Sequence, residues 1–188
     1  MKTLKTHLNK ITGIKVLWLF IVTNLVYATM LLFTIPQTMA FADGMKLLDM
    51  MPGGYDSAYV STLLAALGES GRYLYLWRQI PLDMIYPVLF ILCYGSLLAY
   101  VLKKMKQLNT TLWNLCLIPL IAGVFDYAEN FGIIRLLSAY PDVSVSLVTL
   151  TSAFSVIKST FTTLYFIVLI VLLLICLVNW MKARANKS

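Results

Sequence analysis

Residues 161–180 read FTTLYFIVLIVLLLICLVNW, a run of side chains without a single charge. A helix rises about 1.5 Å per residue, so about 20 such residues cross the roughly 30 Å hydrocarbon core of a bilayer. This run predicts a transmembrane helix that is anchored at Trp180 and reaches its outer boundary near Phe161.

Three further apolar stretches precede this helix, and the four together predict the fold. They cover residues 16–36, 80–102 and 113–134, and the last helix extends back to residue 145, so it is long enough to tilt or to stand partly outside the hydrocarbon. The chain is 60% hydrophobic and 12% charged, against roughly 25% charged residues in a soluble domain. The stretches lack the two-residue alternation of membrane β-strands. We expect an all-α, four-helix transmembrane bundle that forms one domain over residues 1–188.

The basic residues predict the orientation of this bundle. Ten of the fifteen would share one side of the membrane: Lys2, Lys5, Lys10, Lys15, Lys103, Lys104, Lys106, Lys182, Arg184 and Lys187. The eight acids lie in the opposite loops or within the spans. Because cytoplasmic loops carry an excess of Lys and Arg, we expect a multi-pass protein of the plasma (inner) membrane with both termini in the cytoplasm. The net charge of +7 then reflects topology and contact with membrane lipids, and no nucleic-acid partner is expected.

The start of the chain has a second interpretation. Lysines, an apolar run and Ala40-Phe41-Ala42 before Asp43 are similar to a secretory signal with a cleavage site. The apolar run is about 20 residues long, whereas signal peptides use about 7 to 15, which favours a retained first helix. Cleavage would leave three spans and an outside N-terminus.

Cysteine and histidine usage argues against several chemistries. Cys93, Cys116 and Cys176 lie in apolar spans and form no Cys-x-x-Cys pair, so a thiol oxidoreductase is not expected. The single histidine, His7, precedes the first span, which disfavours His-based metal sites and general bases. We expect no metal and no cofactor.

The segment between the first two spans predicts a short extracytoplasmic helical cap. Pro52-Gly53-Gly54 is a turn signal, and an apolar stripe at helical spacing follows over about residues 55–68. Beyond Gly71, the sequence RYLYLWR places Arg72 and Arg78 among aromatic residues. These arginines either belong to an interfacial aromatic belt or form a lid that points inward to anions.

Charged residues within the spans are the strongest functional signal. Asp126, Glu129 and Asn130 are three and four residues apart, so they project from one face of the third helix. Counting from Trp113, Asp126 lies about 20 Å across the core. The same outer layer is expected to hold a larger set: Arg72, Arg78, Asp83, Asp126, Glu129, Asn130, Arg135 and Lys158.

Burying a charge in hydrocarbon costs about 2.5 to 3.5 kcal/mol on insertion scales, so these groups should pair inside the bundle. One interpretation is a structural clasp of ion pairs that fixes how the helices pack. The other is a polar pocket that is open to the outer face and floored by Asp126 and Glu129.

The stretch from Gly71-Arg72-Tyr73 through Asp83, Asp126-Tyr127-Ala128-Glu129-Asn130 and Lys158 resembles a group of small bacterial four-span integral membrane proteins. The similarity covers roughly residues 55–165, and its most specific part is the Asp-x-x-Glu-Asn motif on the third span. No activity is established for that group, so the resemblance implies a topology and no mechanism.

Three classes of function stay open. In the first class, the protein is not an enzyme, and its pocket binds a lipid, another small amphipathic ligand or a partner helix. We favour this class because it requires the fewest features that are missing from the sequence. Alternatively, Asp126 or Glu129 acts as an acid or base on a lipid-like substrate. A proton-coupled carrier comes third, and four spans without an internal repeat would then need a homo-oligomer.

Overall fold

The computed structural model describes residues 11–185, which are helical and contain no strand. Lys2, Lys5, Lys10, His7 and Lys187 lie outside the described residues. Counted across short π- and 3-10 turns, four helices follow one another: α1 (Gly13–Ala42), α2 (Ser57–Lys104), α3 (Thr111–Ala139) and α4 (Val145–Ala185).

All four helices are long and apolar enough to cross a membrane, so the prediction of an all-helical chain with four membrane-length helices is confirmed. Large apolar side chains cover their outer surfaces: Trp18, Leu32 and Ile170 are 61%, 69% and 56% exposed. A surface of this kind is compatible with a multi-pass membrane protein, whose helices meet lipid with apolar side chains. The orientation of the termini and the extracytoplasmic cap stay predictions.

Irregular turns precede three prolines of the bundle. Pro36 follows the π-turn Met30–Thr34, and Pro81 follows the π-turn Tyr75–Gln79. Pro119 follows the 3-10 turn Thr111–Leu117. A proline has no N–H and clashes with the carbonyl four residues earlier, so a preceding change of helical pitch accommodates it. For this reason α1 continues past Pro36 to Ala42.

The N-terminal part of α2 packs onto the end of the bundle. Asp56 caps it, with Oδ1 accepting from the Tyr59 backbone N–H at 2.8 Å. Leu63, Leu64 and Leu67 turn one face into the protein and are buried. Gly68 then adopts φ 60 and kinks the helix, which carries on to Leu74 before the π-turn.

Two apolar cores are separated along the helices. One contains Leu48, Leu64, Ile133 and their neighbours near residues 47–67, and the other contains Leu98 and Tyr165 with their neighbours. On α2, α3 and α4 the segments between these cores carry charged residues. The fold thus places charge between two apolar layers.

The helices pack in chain order. The extensive contacts within residues 11–185 join α1 to α2, α2 to α3, and α3 to α4. Gly132 lets α3 approach α4 closely, because a Cβ at this position would overlap the Thr151 side chain. No comparable interface closes the arc between α1 and α4 in this part of the chain, and that side holds the site described next.

Candidate functional site

Lys158 on α4 joins two acids of α3. Its Nζ lies 3.3 Å from Asp126 Oδ1 and also pairs with Glu129 Oε2. Both acids face the same neighbour because they are three residues apart on one helix. Glu129 is fully buried and Asp126 nearly so, whereas 16% of the Lys158 side chain stays exposed.

Hydrogen bonds tie this part of α3 to α2. The Asn130 side-chain amide donates to the Asp83 carbonyl at 3.3 Å. One turn earlier, the Tyr127 hydroxyl donates to the Met84 carbonyl at 2.8 Å. These two contacts hold the acids of α3 beside Asp83 and Met84 of α2.

Asp83 is buried without a cation. The residue is 4% exposed, and its Oδ2 has no hydrogen-bond partner within residues 11–185. The ion pairs of this described range both belong to Lys158, and neither includes Asp83. A buried carboxylate oxygen without a partner is unusual, because such groups are normally satisfied.

Asp49 is a fourth acid at the same level, and it is absent from the set of residues predicted from the sequence. Its carboxylate accepts from the Tyr75 hydroxyl and, at 3.1 Å, from Gln79 Nε2. The Thr34 hydroxyl in turn donates to Gln79 Oε1. Thr34, Tyr75 and Gln79 belong to the two π-turns, so these irregular turns position Asp49. The sequence did contain one indication that Asp49 is buried, because leucines precede it and methionines follow it in residues 47–51.

Polar groups on α4 hold the loop of residues 49–55 next to these acids. Lys158 Nζ donates to the Asp49 carbonyl at 3.5 Å, and Ser155 Oγ donates to the Met51 carbonyl at 2.9 Å. The Tyr55 N–H donates to Ser152 Oγ at 2.8 Å. Burial raises the pKa of the Tyr55 phenol, and the Glu129 carboxylate raises it further, so its hydroxyl stays protonated. We call Asp49, Asp83, Asp126, Glu129 and Lys158 the charge layer.

A cavity of about 400 Å³ opens onto the charge layer between α1 and α4. Asp49, Asp83, Asp126 and Lys158 form its charged part. The aromatic wall comprises Tyr27, Tyr86 and Phe90, and the Tyr27 and Tyr86 rings stack with centroids 5.4 Å apart. Hydroxyl side chains of Ser159, Thr162 and Thr163 line the α4 side.

A shallower groove continues from this cavity along α4. The two share Pro52, Ser159 and Thr163, and the groove also includes Thr160, Leu164 and Ile167. Leu164 and Ile167 are 41% and 55% exposed, on a surface that a membrane would cover with acyl chains. We call these six residues the side groove.

The structure brings together five of the eight residues proposed from sequence: Asp83, Asp126, Glu129, Asn130 and Lys158. It does not bring the three arginines to the acids. Arg72 donates to the Leu64 carbonyl at 2.7 Å and stacks over Tyr140 at 4.1 Å. Arg78 and Arg135 are exposed, and neither forms an ion pair within the described range.

Within residues 11–185, no group of three or more His, Cys, Asp or Glu side chains is placed to hold a metal ion. The cysteines Cys93, Cys116 and Cys176 are free thiols, and all three belong to or pack against the same apolar core. What the site offers is a cluster of carboxylates, one ammonium, hydroxyls and aromatic rings around a cavity.

Comparison with known proteins finds no matching family model, no matching curated protein and no matching solved structure.

Proposed function

We propose that this chain is a multi-pass protein of the plasma (inner) membrane that binds a lipid-like amphipathic ligand between α1 and α4. The supporting observation is the continuity between a charged cavity and an apolar groove. The polar head would lie against Asp83, Asp126 and Lys158, and the tail would follow the side groove. Ligand sites of this kind combine apolar walls with a few convergent polar groups.

The polarity of the walls supports an amphipathic ligand. Charged side chains occupy one part of the cavity, hydroxyls of Thr162 and Thr163 come next on α4, and Leu164 and Ile167 follow. A purely polar ligand would leave the groove empty. A purely apolar ligand would leave the buried Asp83 carboxyl group without a partner, which is unfavourable in a low-dielectric setting.

The open side of the arc provides a path from the bilayer. A ligand that enters between α1 and α4 need not disturb the close contact of Gly132 with Thr151. Many intramembrane ionisable residues mark substrate or ligand sites, which fits the position of the charge layer. From the positive-inside pattern we place the cavity in the outer half of the membrane.

The enzyme alternative has weaker support. Both acids that it would use, Asp126 and Glu129, already pair with Lys158. A general base must reach the proton that it removes, and these carboxylates are engaged by another group. Binding is therefore the function that the geometry favours.

Filling the junction of cavity and groove tests the proposal. Thr163 is exposed and lines both, so Thr163→Trp should block the ligand without disturbing a core. The matched control is Leu173→Trp, which changes an exposed α4 residue outside the groove. Each protein would be purified in mild detergent, extracted, and its copurifying amphipaths quantified by mass spectrometry.

We expect one amphipathic species to be enriched with the wild type and with Leu173→Trp, and at least fivefold less with Thr163→Trp. Equal recovery with both variants, or no enriched species in any preparation, would overturn the proposal. Matching thermal unfolding midpoints for the two variants would confirm that the difference reflects binding.

A further inference from the structure

We infer that the head group of the ligand is a cation, an alkylammonium that binds against Asp83. This inference rests on the proposed function and specifies the chemistry of the same cavity. Three observations support this inference: the excess of acids in the charge layer, the missing hydrogen-bond partner of the Asp83 carboxylate, and the aromatic wall of the cavity.

The charge layer has an excess of acids. Four carboxylates, those of Asp49, Asp83, Asp126 and Glu129, lie around one ammonium, that of Lys158, within residues 11–185. Lys158 pairs with two of them. Asp49 is satisfied by neutral donors on Tyr75 and Gln79. The layer therefore favours an added positive charge and disfavours an anion.

Asp83 is the acid that lacks a partner. It lines the cavity, it is 4% exposed, and its buried Oδ2 has no donor among the described residues. The backbone carbonyl of the same residue is held by Asn130, which fixes the position of the peptide. A primary ammonium has three donors and a positive charge, so in the cavity it would pair with the Asp83 carboxylate through a charge-assisted hydrogen bond.

The aromatic wall supports a cation over a neutral donor. Tyr27, Tyr86 and Phe90 line the same cavity as Asp83, and the Tyr86 and Phe90 rings lie 5.9 Å apart. The faces of aromatic rings attract cations, and the attraction is larger when the site is shielded from water. A carboxylate beside such rings is a pattern that suits an organic ammonium group.

Asp83→Asn gives a sharp test because it removes an acidic group without breaking an ion pair. Asparagine has nearly the same shape, and Lys158 keeps both of its acids. Asp142→Asn is the matched control, since Asp142 is exposed in the α3–α4 loop. Both variants and the wild type would be placed in nanodiscs of phosphatidylglycerol, which contains no ammonium group.

Three probes with the same dodecyl chain would be compared: radiolabelled dodecylammonium, dodecyl sulfate and dodecanol, each corrected for uptake by empty nanodiscs. We expect saturable dodecylammonium binding to the wild type and to Asp142→Asn, and at least tenfold weaker binding to Asp83→Asn. Dodecyl sulfate and dodecanol should bind at least tenfold more weakly than dodecylammonium to the wild type.

Equal binding of the three probes, or an unchanged affinity in Asp83→Asn, would overturn the cation inference and leave the proposed function standing. Absence of saturable binding for all three would overturn the proposed function itself.

The source of the ammonium group is settled by a second lipid composition. If nanodiscs that contain phosphatidylethanolamine suppress dodecylammonium binding, the natural ligand is a lipid with an ammonium head group. If they do not, the site takes a free amphipathic amine. Both results support an ammonium site.

Discussion

The ammonium of Lys158 and the carboxylate of Asp126 lie 3.3 Å apart across the α3–α4 interface, with Glu129 as the second partner of the same lysine. One cation on α4 is therefore shared by two acids on α3. This relationship makes Lys158 the residue whose loss should affect stability most.

Lys158→Met should destabilise the protein by about 3–5 kcal/mol, because removing one partner of a buried ion pair leaves the other charges uncompensated. Unfolding in detergent would be monitored by circular dichroism, with Lys182→Met, an exposed lysine near the end of α4, as the control. Adding Asp126→Asn and Glu129→Gln to Lys158→Met should recover at least half of the loss, since the charges then disappear together. If the destabilising effects of the three single substitutions instead add up in the triple variant, the result would argue against the ion pairs.

Glu129→Gln and Asp83→Asn should have opposite effects on stability in the absence of ligand. Glu129→Gln removes a partner of Lys158 and should cost about 1–3 kcal/mol. Asp83→Asn replaces a buried carboxyl group that has no partner, so the unfolding free energy should stay the same or rise. Equal destabilisation by both changes, measured under the same detergent conditions, would be inconsistent with this geometry.

Gly132→Ala should destabilise the α3–α4 interface by about 1–3 kcal/mol, since the added methyl group would overlap the Thr151 side chain. Gly95→Ala is the matched control, because its Cβ would meet Cys116 O at an ordinary 3.7 Å. Thermal unfolding of the two variants would be compared. Similar midpoints would show that α3 and α4 do not approach each other as closely as described.

Tyr75→Phe should cost about 1–3 kcal/mol, because the Tyr75 hydroxyl donates to Asp49 and accepts from the Leu48 N–H at 3.1 Å. Tyr73→Phe, at a side chain that is 65% exposed, should change stability by less than about 0.5 kcal/mol. Limited proteolysis within residues 43–56 would report the change directly. Equal protease resistance of the two variants would contradict the role given to Tyr75.

The proposed orientation is testable with cysteines in a background that lacks Cys93, Cys116 and Cys176. Asp142→Cys should react with a membrane-impermeant thiol reagent in intact cells. Lys104→Cys should react after the membrane is permeabilised. The reverse pattern would place the cavity in the cytoplasmic half of the membrane.

The four helices were predictable from sequence because predominantly apolar stretches of membrane length have few alternatives. The pairing of Asp126 and Glu129 on one face follows from their spacing, and Lys158 was placed near them by its depth on α4. These inferences need only the regular geometry of a helix.

Arg78 and Asp49 could not be placed in the same way. The π-turn Tyr75–Gln79 adds a residue to one turn, so the helical period cannot predict which way Arg78 faces. Asp49 approaches the bundle through the fold of a loop, and its partners Tyr75 and Gln79 are 26 and 30 residues away. Local periodicity carries no information about such contacts.

The sequential packing of the helices bears on selectivity. Within residues 11–185, α1 rests on α2 and has no extensive interface with α4, so a small outward swing of α1 would widen the cavity for a bulkier ligand. The Lys158 ion pairs and the Gly132 contact join α3 to α4 without involving α1, so this movement would not break them. Such a bundle would discriminate strictly among head groups while tolerating tails of different length and branching.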